Sequence, residues 1–294
     1  MNISSVIIPA AGYGTRFLPY TKTIPKEMLP LLNTPAIHTI IDEGIDSNIK
    51  NIVLVTNKEK EALNKYFSSA PLLEHFLERQ HKSNLLSTVE HILNSITLSF
   101  VEQAEQKGLG HAILMARTAI KDSYFGIMLP DDIIHHHTPA LAQLIAIAQK
   151  ENATIIAVQE VPRELVSSYG IIAIKRKINS RLYEVDTLIE KPSTKQAPSN
   201  LAIIGRYILS NKIFDALEHI EPSANGEIQL TDGIAHILKE QNERVLAYKI
   251  EGRRYDIGTP LGWLKATFDI ALQHPEYSEE IKQLFISHLG QIQN

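Results

Sequence analysis

Two basic residues follow a turn of small residues near the start of the chain. The run Val6–Ile8 predicts a buried strand of a parallel sheet. Small residues after it would let backbone N–H groups approach a bulky anion. Arg16 adds a cation with forked donors, and Lys26 follows on a loop stiffened by Pro25. The pattern predicts a nucleoside triphosphate site, to which we assign the two cations together with Ala10, Ala11, Gly12, Gly14, Thr15 and Glu27.

Two common phosphate-binding motifs are absent from this turn. The P-loop spacing G-x-x-x-x-G-K-[ST] does not occur, and the second glycine is followed by Thr-Arg, not by the x-x-G of the dinucleotide fingerprint. A G-x-G alone is also common at a tight junction between a strand and a loop. The turn by itself therefore leaves a phosphate site and a plain turn both open.

A second polar segment contains Gln103 and Gly108, after a strand predicted at 98–103. A glutamine amide can accept and donate hydrogen bonds, so Gln103 suits the O4 and N3–H edge of a pyrimidine. Gly108 would let backbone groups reach the base. The alternative for Gly-Leu-Gly before a helix is a simple helix cap. The residues alone leave recognition of a base and a helix cap both open.

A third polar segment is the pair Asp131 and Asp132, which follows a strand predicted at 125–129. Carboxylates suit Mg²⁺, which takes oxygen ligands and usually keeps water and substrate phosphates. A turn or a helix cap is the alternative for a bare Asp-Asp pair. The residues alone leave a metal site and a turn or cap both open.

These residues can meet only if the strands before them end at one edge of a sheet. Apolar runs at 51–56, 98–103, 125–129 and 154–158 alternate with helical patterns, which predicts a parallel sheet with right-handed crossovers. Ligands of such sheets bind beyond the carboxyl ends of the strands. Thr34 is the expected N-cap of the first helix, with proline at the next position.

The pattern changes after about residue 165. Strand-like runs at 169–176, 182–190 and 201–209 have fewer helices between them, and the chain reads as helical from Thr259 to its end. We predict an α/β fold with a Rossmann-like, mostly parallel but mixed sheet flanked by helices. Its expected parts are an α/β half at 1–165, an α+β half at 166–258 and a helical tail at 259–294.

The composition is that of an ordinary globular protein. The chain has 294 residues, 44% of them hydrophobic and 21% charged, with a net charge of −4, which argues against nucleic acid or an anionic membrane as a partner. Cysteine is absent, which excludes disulfides and thiol nucleophiles. No run of 18 apolar residues and no basic leader segment occurs, so a cytoplasmic protein is expected.

Several strings together resemble the sugar-1-phosphate nucleotidyltransferases. TRFLP at 15–19 and PKEMLP at 25–30 are similar to the G-x-G-T-R…P-K-x-[ML]-[LV]-P signature, in the form of the bacterial uridylyltransferase branch. Gln103–Ala112 is similar to the motif Q-x-x-x-x-G-L-G-H-A, and 225–232 to G-E-I-Q-L-T-D. The chain departs from the family at Glu102, where arginine is usual.

The resemblance implies nucleotide-binding roles for Gln103 and Gly108, a metal-binding role for Asp131 and a place in the lining of the nucleotide site for Asp132. It also implies further site residues. It makes Asp256 the second metal carboxylate beside Asp131, and it implies sugar-binding roles for Gly170, Glu190, Lys191, Gly205 and Glu227. Because adjacent strand residues point to opposite faces, a proline or a bulge must re-aim Glu190 or Lys191. Without the resemblance, Glu190 and Lys191 would be a surface ion pair at a strand end.

The implied reaction joins UTP and α-D-glucose 1-phosphate to give UDP-glucose and pyrophosphate, with Mg²⁺ as cofactor. Arg16, Lys26, Asp131 and Lys191 are the implied catalytic residues. The resemblance also implies a homodimer or homotetramer, with the tail as a candidate contact. Two alternatives stay open, a dTTP-using glucose-1-phosphate thymidylyltransferase and a non-catalytic regulatory protein that binds nucleotide sugars. The sequence does not separate glucose from galactose or N-acetyl sugars.

Overall fold

The structure is a computed structural model that describes residues 1–292, and side chains for 1–287. The strands, in chain order, are β1 (Ser5–Pro9), β2 (Pro30–Leu31), β3 (Thr34–Pro35), β4 (Asn51–Thr56), β5 (Thr97–Glu102), β6 (Tyr124–Met128), β7 (Asp132–His135), β8 (Thr154–Glu160), β9 (Gly170–Lys177), β10 (Leu182–Glu190), β11 (Leu201–Ser210), β12 (Val245–Lys249) and β13 (Arg253–Asp256). The helices are α1 (Ala36–Asp46), α2 (Glu61–Tyr66), α3 (Pro71–Arg79), α4 (Ser87–Ser95), α5 (Gly108–Met115), α6 (Ala140–Glu151), α7 (Lys212–His219), α8 (Leu230–Lys239), α9 (Pro260–Gln273) and α10 (Ser278–Ile292).

A nine-stranded sheet forms the centre, in the order β5-β4-β1-β6-β11-β8-β12-β10-β9. The strands β5, β4, β1 and β6 are parallel. β11 runs antiparallel to both β6 and β8, β12 is parallel to β8, and β10 and β9 are antiparallel. The predicted α/β fold, with a mixed sheet flanked by helices, is confirmed.

Helices cover both faces of the sheet, which explains the unbroken apolar run in β1. Ile8 belongs to a core cluster with Ile40 of α1 and Leu144 of α6. Ile7 points to the other face and joins a second cluster with Ile113 of α5 and Phe214 of α7. Since alternate residues of a strand face opposite sides, only an apolar run can fill both cores.

The two predicted halves share this sheet. β11 comes from the second predicted half, yet it pairs with β6 and β8 of the first. The division at residue 165 therefore runs through one continuous sheet and stays a prediction. None of the helices in residues 1–292 is long and apolar enough to cross a membrane.

One helix boundary differs from its prediction. Thr34 is not the N-cap of α1, because Pro35 occupies that position and the Thr34 hydroxyl donates to Asn33 Oδ1 instead. The residues Thr34 and Pro35 form β3, which pairs with β2 in a small ribbon. The predicted helical tail consists of two helices, α9 and α10, which are separated around Pro275. Thr259 does cap α9, since its Oγ1 accepts the Gly262 N–H.

Candidate active site

The turn after β1 presents a row of unpaired backbone N–H groups. Within the described part of the chain, the N–H groups of residues 11–14 donate to no acceptor. The carbonyl oxygens behind them are held: Lys60 Nζ donates to Ala10 O at 2.6 Å, and Asn57 Nδ2 to Ala11 O at 2.6 Å. Gln106 Nε2 adds a second bond to Ala11 O at 3.1 Å. A turn with tied carbonyls and open N–H groups suits an anion.

This turn opens onto a cavity of about 290 Å³ at the carboxyl ends of β1 and β6. The cavity brings together residues from four of the predicted segments. Its lining includes Ala11, Gly12, Lys26, Glu27, Gln103, Gly108, Asp131 and Glu227. The predicted convergence of the glycine turn, the glutamine segment and the aspartate pair at one sheet edge is what the structure shows.

Lys26 and Asp131 form an ion pair inside the cavity. Lys26 Nζ lies 2.6 Å from Asp131 Oδ2. Burial opposes the charge of Lys26, but Asp131 and Glu27 outweigh it and raise the lysine pKa. Burial likewise opposes the charge of Asp131, and Lys26 outweighs it and lowers the aspartate pKa. Both groups are therefore charged at neutral pH.

Asp131, Asp256 and Arg16 converge on Gly258. A Cβ on that glycine would lie 3.0 Å from Asp256 Oδ1, 3.1 Å from Asp131 Oδ2 and 3.5 Å from Arg16 Nη1. Asp256 reaches this point from the end of β13, which pairs with β7 in a separate two-stranded sheet. Asp256 therefore ends a strand outside the central sheet, and its carboxylate lies near that of Asp131.

The carboxylates of Asp131 and Asp256 fit a hard divalent cation. Within residues 1–292 no group of three or more acidic or histidine side chains could enclose a metal. Two carboxylates beside a cavity instead match a cation that completes its shell with water and substrate phosphates, as Mg²⁺ commonly does. The oxygen donors and the open side of the site agree with that chemistry.

Gln103 is fixed in one orientation in the cavity wall. Its side chain is buried, and its Nε2 donates to Gly108 O at 3.1 Å and to His111 Nδ1 at 2.9 Å. With both amide hydrogens engaged, Oε1 is the atom left to accept a bond from a ligand. An acceptor suits the N3–H of uracil or thymine.

Gly108 can only be glycine. Its φ is +89°, and a Cβ there would lie 2.8 Å from the Glu227 Cβ and 2.9 Å from the Ile228 carbonyl oxygen. The segment around Glu227 is held against α5 by the Ile228 N–H, which donates to Lys107 O at 2.8 Å. Glu227 thus lies on the wall of the same cavity as Gln103, although it was predicted on the sugar side.

The predicted sugar-binding residues Gly170, Glu190 and Lys191 lie close together, and we call this group the sugar corner. The Thr231 hydroxyl donates to Glu190 Oε2 at 2.7 Å, and a Cβ on Gly170 would lie 3.1 Å from that oxygen. Lys191 Nζ lies 3.3 Å from Glu190 Oε1, and Lys191 has φ +43°. The left-handed backbone of Lys191 brings the two side chains together, so the prediction that a proline or a bulge does so is wrong.

Lys191 lies outside the 290 Å³ cavity and is more than half exposed. Its link to the cavity runs through Tyr169, whose carbonyl accepts the Lys191 N–H at 3.0 Å, and through Arg254, which donates to the Tyr169 hydroxyl at 3.3 Å. Arg254 in turn binds Asp132, the neighbour of Asp131. The sugar corner and the cavity are therefore adjacent and joined by side chains.

Three predicted residues are buried at the cavity wall or behind it. Asp132 is 4% exposed and accepts bonds from Arg254 and from the Gly205 N–H. Gly205 is buried against it, since a Cβ there would lie 2.7 Å from Asp132 Oδ2. Glu27 is 1% exposed and pairs with Lys60 at 2.8 Å. Their burial favours supporting roles over direct substrate contact.

Sequence reasoning missed Lys60 and the pair Glu43–Arg206. Lys60 belongs to the polar run NKEK, in which nothing indicates burial, yet the structure buries it. Arg206 is fully buried and its Nη2 lies 2.6 Å from Glu43 Oε2. The same Nη2 donates to the Asp132 carbonyl at 2.8 Å. No local pattern marks a buried charge whose partner is distant in sequence.

Comparisons with known proteins agree with this geometry. Residues 5–272 match the family described as Nucleotidyl transferase. A curated UTP–glucose-1-phosphate uridylyltransferase of Staphylococcus epidermidis is 45% identical over 288 residues, which cover 98% of this chain and 99% of the relative. These matches confirm the resemblance that the motifs indicated.

Solved structures of the same kind superpose closely. A UTP-bound UGPase from Acinetobacter baumannii has a TM-score of 0.88 at 36% identity, covering 97% of this chain and 99% of that one. A UDP-glucose pyrophosphorylase complexed with UDP-glucose has a TM-score of 0.83 at 38% identity, covering 93% and 100%. Both similarities extend over nearly the whole chain, and therefore over the cavity and the sugar corner.

Proposed function

Because this chain belongs to the nucleotidyl transferase family, we propose that it transfers the uridylyl group of UTP to α-D-glucose 1-phosphate, giving UDP-glucose and pyrophosphate. One observation carries the proposal. Lys26, Asp131, Asp256 and Arg16 converge beside a cavity whose wall holds the acceptor of Gln103. The relatives named above carry the same activity in their names.

The proposed reaction forms one P–O bond and breaks another. A phosphate oxygen of glucose 1-phosphate attacks the α-phosphorus of UTP, and the bond from that phosphorus to the β-phosphate oxygen breaks. The attacking oxygen is already ionised at neutral pH, since the second pKa of a phosphate monoester is about 6. No general base or protein nucleophile is needed, so catalysis consists of positioning and charge stabilisation.

Different residues bind the leaving phosphates, the sugar phosphate and the metal ion. Arg16 and Lys26 hold the departing β- and γ-phosphates, together with the open N–H groups of residues 11–14. Lys191 holds the phosphate of the sugar and is exposed enough to reach it. Asp131 and Asp256 would hold Mg²⁺, which would neutralise charge on the α-phosphate when bound. Lys26 lies 2.6 Å from Asp131 Oδ2 and keeps that carboxylate ionised.

Recognition of the two organic groups follows the same geometry. Gln103 Oε1 accepts the uracil N3–H, and Gly108 lets the backbone approach the base. Glu190 accepts sugar hydroxyl bonds, and Gly170 leaves room beside it. Glu227 lines the space between the base and the sugar, Glu27 forms part of the cavity wall, and Asp132 and Gly205 support that wall from behind. We further propose a cytoplasmic enzyme that assembles as a homodimer or homotetramer.

A coupled assay of pyrophosphate release tests the proposal. UTP and dTTP are each offered with glucose, galactose and N-acetylglucosamine 1-phosphates, with Mg²⁺ or with EDTA. We expect turnover with UTP and glucose 1-phosphate that stops in EDTA, and a loss of turnover by about 100-fold or more in Lys191→Ala with an unchanged Tm. A preference for dTTP, or UTP binding without any turnover, would contradict the proposal.

A further inference from the structure

Arg254 touches the part of the site that holds the carboxylates. Its side chain is 10% exposed, and its Nε donates to Asp132 Oδ1 at 2.6 Å. Its Nη2 also lies 3.8 Å from Asp256 Oδ2. One end of the guanidinium is therefore fixed directly behind the pair Asp131 and Asp256.

The other end of Arg254 touches the sugar corner. Nη1 donates to the Tyr169 hydroxyl at 3.3 Å, and the guanidinium carbon lies 5.3 Å from the centre of the Tyr169 ring. The Tyr169 carbonyl accepts the Lys191 N–H at 3.0 Å. Because Lys191 has a left-handed backbone, φ +43°, this bond fixes the direction in which the lysine side chain leaves the chain.

The end at Asp132 is rigid. Its second carboxylate oxygen accepts the Gly205 N–H at 2.7 Å, and its carbonyl accepts Arg206 Nη2 at 2.8 Å. Arg206 is itself fully buried and paired with Glu43. Arg254 therefore connects the rigidly held Asp132 with Tyr169, the residue directly before β9. Through these contacts the position of Asp132 can determine the position of the sugar corner.

We propose that Arg254 is a positioning residue that sets Lys191 at the correct distance from Asp131 and Asp256. The proposal rests on the proposed function, in which Lys191 presents the sugar phosphate to the nucleotide held near the two carboxylates. In-line attack needs the reacting atoms aligned at about 3–3.5 Å, and a misplacement of about 1 Å can cost about 100-fold in rate. Arg254 supplies this alignment without touching either substrate.

Two substitutions weaken the link at different points. Tyr169→Phe removes only the hydroxyl that accepts from Arg254, and Arg254→Lys keeps a cation beside Asp132 but loses the forked contact and the ring stacking. Arg253→Gln is the matched control, because Arg253 is the exposed neighbour and pairs with Asp269 instead. Steady-state kinetics with each substrate varied separately, Tm, and calorimetric binding of UDP-glucose are measured for each variant.

For Arg254→Lys we expect kcat to fall by about 30-fold or more and the KM for glucose 1-phosphate to rise about fivefold, with the KM for UTP within about twofold of wild type. Tyr169→Phe should show smaller changes of the same kind, with a lower kcat, a higher KM for glucose 1-phosphate, a nearly unchanged KM for UTP and an unchanged Tm. Since both changes break one link, the double variant should be no worse than Arg254→Lys alone. Arg253→Gln should match wild type.

Equal effects on both KM values, or strictly additive effects in the double variant, would show that Arg254 acts only on the fold. If Arg254→Lys does not fold, Tyr169→Phe decides alone: kinetics equal to wild type would overturn the proposal, and a selective loss toward glucose 1-phosphate would support it. Failure of the proposed function looks different, because the wild-type protein itself would then form no UDP-glucose.

Discussion

Lys26 is the residue on which the electrostatics of the cavity depend most. It lies 2.6 Å from Asp131 and lines the same cavity as Ala11 and Gly12 of the turn. Because its pKa is raised, its contribution to stability is present through the neutral range and is lost only as the pH rises through the folded-state pKa. Asp131 has a lowered pKa, so its contribution is lost as the pH falls through its own folded-state value.

Lys26→Met should therefore act on catalysis far more than on folding. Since both partners are partly exposed to solvent, the lost ion pair should cost about 1 kcal/mol or less. Turnover should fall by about 100-fold or more, because the β,γ-phosphates lose a cation in a low-dielectric site. Lys22→Met is the control, an exposed lysine on the same loop, and should stay within about twofold of wild type. Kinetics and thermal unfolding of both variants, measured together, check this; a Lys26→Met variant with normal turnover would remove the lysine from the mechanism.

The turn after β1 is held in shape by the side chain of Lys60, which comes from another part of the chain. Lys60 lies after β4 and holds the Ala10 carbonyl and the Glu27 carboxylate at once. Lys60 binds Glu27 Oε2, whereas Glu27 Oε1 is buried without a hydrogen-bond partner among the described residues, so Lys60 supplies most of the compensation for that charge.

Lys60→Met should leave Glu27 as an unpaired buried carboxylate and cost about 3–5 kcal/mol. The double variant Lys60→Met/Glu27→Leu should regain most of that stability, because an apolar pair can replace a buried ion pair. It should not regain affinity for UTP, since the Ala10 carbonyl is no longer held. Urea unfolding and UTP binding separate the two effects. Equal recovery of stability and affinity would contradict a role for Lys60 in shaping the turn.

The contact between α5 and the segment before α8 depends on Gly108. Gly108→Ala adds both a strained φ of +89° and a clash with the Glu227 segment, whereas Gly226→Ala adds strain at φ +80° with nothing within 4 Å. Strain alone should cost about 1–2 kcal/mol. Gly108→Ala should cost more and also raise the Kd for UTP by about tenfold or more, while Gly226→Ala should leave the Kd within about threefold. Thermal unfolding and calorimetric titration with UTP compare the two variants. Equal stability and equal Kd for UTP in both would mean that the close contact of Gly108 with the Glu227 segment does not matter for binding.

At the scale of the whole molecule, the sequence indicated the local elements but not how they pair. The strand at 51–56 and the segments around Gly12, Gln103 and Asp131 were predictable, because apolar runs and small or polar residues at strand ends are local signals. The insertion of β11 between β6 and β8 was not, since strand order depends on contacts between distant residues. That insertion is what buries Gly205 and Asp132 and turns them from predicted lining residues into supports.

The same insertion explains how one molecule can hold two phosphorylated substrates close together. β11 joins the strands that end at the nucleotide cavity to the strands that carry the sugar corner, so neither part can shift as a separate body without breaking the sheet. We expect the two substrates to react directly across this shared edge.

The most direct test of that account is the stereochemistry at the α-phosphorus of UTP. UTP carrying a single sulfur of known configuration on the α-phosphate is converted with glucose 1-phosphate, and the configuration of the UDP-glucose product is determined by phosphorus NMR. A single in-line attack predicts inversion. Retention would mean an even number of displacements, and hence a covalent intermediate on the protein, which the arrangement of Arg16, Lys26, Asp131 and Lys191 does not provide for.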